Sequence, residues 1–249
     1  MRTTTYLGLV LGIAFVSLAV RSSGGDFSIF THRTALLIVL GGTLAAATLA
    51  SSRRTVLDAL SALSRIFLSH TVTTRQVSQA LIGLARQARA QGVATIDPEA
   101  VSLREPFLSK GLYLLVDGVE AERIAELLRL ESELLSGRRA QAERLFRFMG
   151  HSALLLGVAG TLVGIVQLAP GLQDQAAPWT AVTASLASTC YGALLAGLLF
   201  LPLSGKVRTL DQHEQLVRHQ IVAGLIAIRL GQNPEYLRES LTVFALKHG

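Results

Sequence analysis

Charged side chains are what this sequence has least of. Asp, Glu, Lys and Arg make up 16% of its 249 residues, against about a quarter in an ordinary soluble domain. Half of the residues are hydrophobic and the mean hydropathy is +0.46, so the deficit points to a membrane rather than to a large soluble core. One cysteine, Cys190, excludes an internal disulfide and leaves the redox compartment open. There is no phosphate-binding glycine loop, no GxGxxG after a strand, no CxxC and no HExxH, and the six histidines are dispersed, none at metal-ligand spacing. His151 and Ser152 are neighbours without an acid nearby, and a lone histidine at a membrane boundary reads as an interfacial polar residue. These absences argue against an enzyme, a resident metal or a cofactor. The net charge of +6 comes from arginines scattered through amphipathic stretches, without a basic block or interleaved aromatics. That reads as a solvated face, not a nucleic-acid site.

What is present is four runs free of Asp, Glu, Lys and Arg. They are Thr3–Val20 (18 residues), Thr34–Ser52 (19), Ser152–Gln173 (22) and Gln175–Gly205 (31). A spanning helix needs about 17–25 apolar residues. The first run has the outline of a signal peptide, with Arg2 ahead of it and "SLA" at 17–19. Its apolar part is long for that role, and a second apolar run follows at once. Residues 51–150 hold 14 arginines and lysines, whereas the connector 21–33 holds two and 171–178 none. By the positive-inside rule the large loop and the tail are cytoplasmic and both connectors face outside. The expected fold is an all-α integral membrane protein with four transmembrane helices. A large helical cytoplasmic domain lies between the second and third, and a cytoplasmic helix closes the chain. The segments are a first hairpin (1–52), the cytoplasmic domain (53–150), a second hairpin whose helices extend into the cytoplasm (151–205), and the tail (206–249).

The loop is helical by pattern. Val77, Leu81, Leu84 and Ala88 recur at helical spacing on one apolar stripe, and Gly92 reads as a stop. Residues 96–107 carry two prolines and read as a connector, and 119–149 form a long helical pattern that runs into the third apolar run.

Inside the membrane, small residues take over. "LLLGVAGTLVGIVQL" (154–168) places Gly157, Thr161, Gly164 and Leu168 on one stripe, flanked by Gly160. A second small and polar stripe runs through Ala181, Ser185, Ser188, Thr189, Gly192 and Ala196. Each glycine costs about 1 kcal/mol against alanine in a helix interior. The return in lipid is close backbone approach, since apolar side chains gain little there by meeting one another. Thr161 and Thr189 are the prominent polar points on these faces. They stand open to two readings, plain packing with each hydroxyl on its own i−4 carbonyl, or a polar path. The apolar runs contain no carboxylate. An ion pathway ordinarily shows one, so either nothing is transported or a partner helix supplies the acid.

"LIVLGGTLAAATLA" (37–50), "GTLVGIVQLAPGL" (160–172) and "STCYGALLAGLLFLPLSGKV" (188–207) resemble the flagellar motor stator A subunits of the MotA/PomA type, within the MotA/TolQ/ExbB superfamily. The likeness continues, in order, through "LARQARAQGVATID" (84–97), "PFLSKGLYLLVDG" (106–118) and "GQNPEYLRESL" (231–241). The resemblance implies a multi-pass protein of the bacterial inner membrane, with both termini and the large loop cytoplasmic. It implies a homopentamer in membrane lipid around two copies of a single-span B subunit that carries the ion-binding aspartate and a peptidoglycan-binding domain. It also implies a translocated ion, a proton more than sodium, and torque on the rotor switch protein FliG. Thr161 and Thr189 match the polar positions facing the partner's aspartate. Arg89 falls on the family's loop arginine and Asp97 on its loop acid, with Glu99 the substitute if the register slips by two. Pro202 matches one of two family prolines. The other, at the cytoplasmic start of the third span, is replaced by Leu154, so that span should be more regular. This departure leaves open a non-flagellar load, as in gliding, TolQ/ExbB-like envelope energisation or phage defence. A non-conducting scaffold is the remaining alternative.

The arginine asymmetry generates a topology test. Single cysteines placed at 26, 100 and 175, with Cys190 replaced by serine, are expected to react with an impermeant maleimide in intact cells at 26 and 175 only. Labelling of position 100 from outside overturns the orientation.

Overall fold

The computed structural model describes residues 2–22, 32–68, 72–101, 103, 105–168 and 178–248. Residues 23–31 and 169–177, which make up most of both connectors, lie outside that description. Among the described residues every element is helical: α1 (Arg2–Ser22), α2 (Arg33–Leu36), α3 (Gly42–Ala50), α4 (Arg53–Leu68), α5 (Thr74–Gln91), α6 (Pro106–Val116), α7 (Ala121–Leu168), α8 (Pro178–Leu194), α9 (Leu201–Arg229) and α10 (Pro234–His248). A π-helical stretch, Leu37–Gly41, joins α2 to α3, and a second, Leu195–Phe200, joins α8 to α9. Three helical stretches are long and apolar enough to cross a membrane: Arg33–Ala50, Ala121–Gln167 and Ser185–Arg229. α1 adds a shorter apolar stretch, Val10–Ser22, so three of the four expected spans meet that criterion.

The chain divides into two compact units. One combines Met1–Leu68 with Arg139–Arg208, the other Ser69–Arg138 with Thr209–Gly249. α7 and α9 contribute to both.

The first unit is built from apolar helices that meet through small side chains. Val39, Ala47, Ala59, Ala62, Ala142, Ala153, Phe200 and Val207 are buried together, whereas Leu7, Val10, Phe15, Leu155, Val158 and Val166 are exposed. Leu145, Phe146, Met149 and Leu203 complete this core, but its share of alanine and the many leucines and valines facing outward depart from the soluble pattern. They are what a helix surrounded by hydrocarbon requires. α4 departs from this all-round apolarity: Ala59 and Ala62 are buried, and Val56, Leu63, Ile66 and Phe67 pack against the same core.

The second unit has a soluble-type core. Val77, Leu81 and Leu84 are buried as the stripe predicts and Ala88 is partly buried, packed with Phe107, Leu108, Leu112, Ile124, Leu128, Ile221, Leu225, Leu237 and Leu241. α5 begins in a reciprocal cap: Gln76 N–H donates to Thr73 Oγ1, and Thr73 N–H to the Gln76 side chain at 2.9 Å. It ends at Gly92, whose φ of +90° is a conformation that side chains with a Cβ rarely adopt. The Arg229 guanidinium donates to the carbonyls of Val119 (2.8 Å) and Gly118 (2.9 Å), tying the turn before α7 to the end of α9.

Charge enters this unit at Arg218, which is 4% exposed. Its guanidinium donates to Asp211 (3.3 Å) and to Ser136 Oγ on α7 (3.0 Å), with Glu214 at 3.7 Å. Residues 211, 214 and 218 share one face of α9, so the two carboxylates approach the cation from its own helix.

Candidate functional site

α7 and α8 lie backbone to backbone. A Cβ added to Gly192 would stand 2.5 Å from the Ala153 carbonyl oxygen and 2.9 Å from Gly157 Cα. One added to Gly157 would stand 3.0 Å from Gly192 Cα. At Gly160 and Gly164 the hydroxymethyl groups of Ser188 and Ser185 occupy the space a Cβ would need. The glycines predicted to smooth α7 therefore receive the serines and the glycine of α8, ridge into groove.

This approach sets Thr161 against Thr189. Their hydroxyls hydrogen-bond one another across the helices. Thr161 Oγ1 also lies 2.8 Å from the Ser185 carbonyl and 3.1 Å from its own Gly157 carbonyl, and Thr189 Oγ1 lies 3.3 Å from the Gly157 carbonyl. Thr161 thus makes the i−4 bond of the packing reading, and the two hydroxyls also form an interhelical polar cluster. Each hydroxyl has one proton, and either proton can be given to a protein oxygen. What the pair keeps in reserve is acceptor lone pairs, which suit a cation or an acidic proton. Beside them Ser188 Oγ is buried without a hydrogen-bond partner. Both threonines are half-buried. Leu168 and Ala181, the outer members of the two stripes, lie where side chains are not described.

Pro202 is exposed on α9, two residues after the π stretch. Proline has no N–H to give the carbonyl four residues back, and Leu201 N–H reaches five residues back to Ala196. α7 passes through Leu154 without interruption over its 48 residues.

In the other unit, Arg89 stands exposed on the last turn of α5. Asp97 follows the 3-10 turn Val93–Thr95 and accepts Glu99 N–H at 2.9 Å. Glu99 in turn accepts the Tyr113 phenol at 3.2 Å. That hydrogen bond, then burial and the charges of Glu99 and Asp97, raises the Tyr113 pKa above its ordinary value, so the donor stays protonated at neutral pH. No hydrogen bond or ion pair joins Arg89 to Asp97. Arg89 instead borders a shallow cleft of about 330 Å³ with Arg86, Ala90, Asn233, Pro234 and Glu235. The sequence reasoning missed the α10 side of this cleft, and no spacing rule links residues 86 and 235. It also missed the Arg218 cluster, although its i, i+3, i+7 charges were readable.

The family model described as the MotA/TolQ/ExbB proton channel family matches residues 99–220, a span that includes both threonines. The Chemotaxis protein PomA of Vibrio alginolyticus is 31% identical over 95% of this chain and 92% of its own. The chain belongs to the MotA/TolQ/ExbB proton channel family. Its likeness lies on the MotA/PomA side: Motility protein A of Borreliella burgdorferi is 28% identical over 95% of this chain and 90% of its own. The fold is that of the C. jejuni MotAB structure, with a TM-score of 0.92 over 98% of this chain and 96% of that one at 23% identity. This MotA-type chain is a transmembrane protein, and its threonine pair lies inside the family's matched region.

The glycine contact generates a sharp test. Gly192→Ala puts a methyl against backbone on both sides, and neither neighbour is a flexible side-chain end. Overpacking of this kind costs about 1–3 kcal/mol. Gly137→Ala, where a Cβ meets nothing within 4 Å, is expected to be neutral or mildly stabilising. Thermal unfolding of the purified full chain in detergent is expected to fall for the first variant alone. Equal melting of both variants shows that α7 and α8 do not meet at Gly192.

Proposed function

We propose that this chain is the A subunit of an ion-driven flagellar stator. It spans the inner membrane four times with both termini in the cytoplasm, and five copies surround two copies of a single-span B subunit. The observation that carries this reading is the Thr161–Thr189 pair between α7 and α8, in a set of apolar helices that holds no carboxylate of its own. The acid comes from the B subunit, whose other end binds peptidoglycan. The threonine oxygens face it and steady the ion during transfer. A proton is the ion favoured over sodium. The hydroxyl pair does not choose by itself, since hard cations also accept oxygen ligands. The chain performs no bond-making chemistry and holds no cofactor.

The load is the rotor protein FliG, met through Arg89 and Asp97. Of the two acids in this loop, Glu99 is engaged by Tyr113 while Asp97 holds only a backbone N–H. Asp97 is therefore the freer carboxylate and fills the role of loop acid. Pro202 and the π stretch before it give the fourth span its deformable joint.

Two mutations test the two ends of this machine. Thr161→Ala is expected to reduce swimming speed more than Thr161→Ser, because serine keeps the oxygen. Speed measured against external sodium at fixed pH is expected to stay flat, and a steep sodium dependence reverses the choice of ion. Wild-type speed in both variants returns Thr161 to plain packing. Arg89→Glu is expected to abolish or strongly reduce torque while the complex with the B subunit still purifies. Normal swimming, or a missing complex, removes Arg89 from the rotor contact.

A further inference from the structure

The cleft beside Arg89 contains a charge arrangement that the torque reading does not use. Glu235, in the first turn of α10, places one carboxylate oxygen 3.0 Å from Arg86 and the other 3.6 Å from Arg238. Arg89 borders the same cleft and, among the described residues, forms no ion pair. Two guanidiniums, those of Arg86 and Arg238, thus share one carboxylate beside the Arg89 side of the cleft. All the paired side chains are more than half exposed: Arg86 60%, Glu235 61% and Arg238 64%. Exposed pairs of this kind are weak, because water screens them and both long side chains must be held in place. Glu235 also has a local reason to sit there. A carboxylate is favoured at a helix N-terminus, and its N–H is capped by Asn233 Oδ1 at 3.1 Å.

We propose that Glu235 is a built-in competitor that occupies the carboxylate position of a cleft lined by Arg86 and Arg89, and that the occupant it mimics is an acidic side chain on a protein partner. The charge balance selects that chemistry. With Glu235 in place the cleft holds two arginines and one carboxylate, and a second acid relieves the positive charge left over. The weak internal pairs let a partner's carboxylate displace Glu235 at little cost. The competitor keeps the cleft from holding any acidic surface too tightly, which a contact that must be made and released repeatedly requires. The identity of the partner rests on the rotor-facing reading of Arg89, whereas the masking by Glu235 does not.

The test uses the purified full-length chain with its B subunit in detergent and a fluorescein-labelled hexaglutamate peptide, read by anisotropy at low salt. Glu235→Gln keeps the side chain's size and is exposed, so the fold is not at stake. It is expected to tighten peptide binding by about two- to fivefold, the range an exposed ion pair supports. Glu239→Gln changes the net charge equally from outside the cleft and is expected to leave binding unchanged. If Glu235→Gln binds no tighter than wild type, or Glu239→Gln gains as much, the competitor does not exist. Recruitment of the fluorescently tagged protein to rotating motors separates this from the torque reading. A peptide gain without motor recruitment of the wild type retains the competitor and removes the flagellar rotor as its partner.

Discussion

The contact between Gly157 and Gly192 is the constraint on which the candidate ion path depends. Two helices surrounded by hydrocarbon gain little from burying leucine against leucine. They gain dispersion contacts and polar pairing when nothing but backbone separates them. The absence of a Cβ on both sides lets α7 and α8 approach until the Thr161 and Thr189 hydroxyls reach each other and the Ser185 carbonyl. A methyl at either glycine would part the helices and with them the hydroxyl pair. The glycines therefore do not merely tolerate the polar cluster. They set the distance at which it exists.

The same logic explains the inverted surface of the first unit. Many of its buried positions are alanine, serine and valine beside a few large side chains such as Leu145, Phe146 and Phe200, and many leucines, valines and phenylalanines are exposed. The second unit, with leucine and isoleucine inside and arginine and glutamate outside, obeys the rules of water. α7 changes from one rule to the other along a single uninterrupted helix. Its N-terminal half is patterned with i, i+4 charges and its C-terminal half with glycines, and the helical hydrogen bonds carry through because both patterns satisfy the backbone within the segment.

Much of this was legible without coordinates. Helix content followed from the apolar runs and from the stripe at Val77, Leu81 and Leu84. The stop at Gly92 and the small faces of α7 and α8 also came from local patterns. Four things were not. Each π stretch depends on how a helix accommodates a missing or shifted hydrogen bond, and only the one beside Pro202 has a residue that announces it. The Thr161–Thr189 bond depends on the register between two helices, which neither helix's own period fixes. The engagement of Glu99 by Tyr113 joins two elements separated by a proline-bearing connector. The meeting of Arg86 with Glu235 joins residues 149 apart. Local pattern reveals faces, and long-range pairing of faces is decided by packing that no window of sequence contains.

α7 and the α8–α9 segment differ in how readily their hydrogen-bond ladders bend. A helix can be bent at low cost only where its ladder already has a gap. In α7 the ladder runs unbroken past Leu154, and Gly157, Gly160 and Gly164 are pressed against α8 rather than left as open joints. Between α8 and α9 the ladder is already wide, with Leu201 reaching back to Ala196 and Pro202 unable to donate. Bending α7 would break intact bonds in a medium with no water to replace them. Bending at Leu195–Pro202 redistributes bonds that are already long-range. Bending therefore costs less on the α8–α9 side of the threonine pair, where Thr189 precedes the π stretch on the same helix. Of the two hydroxyls, that of Thr189 is on the more easily bent helix and that of Thr161 on the uninterrupted one.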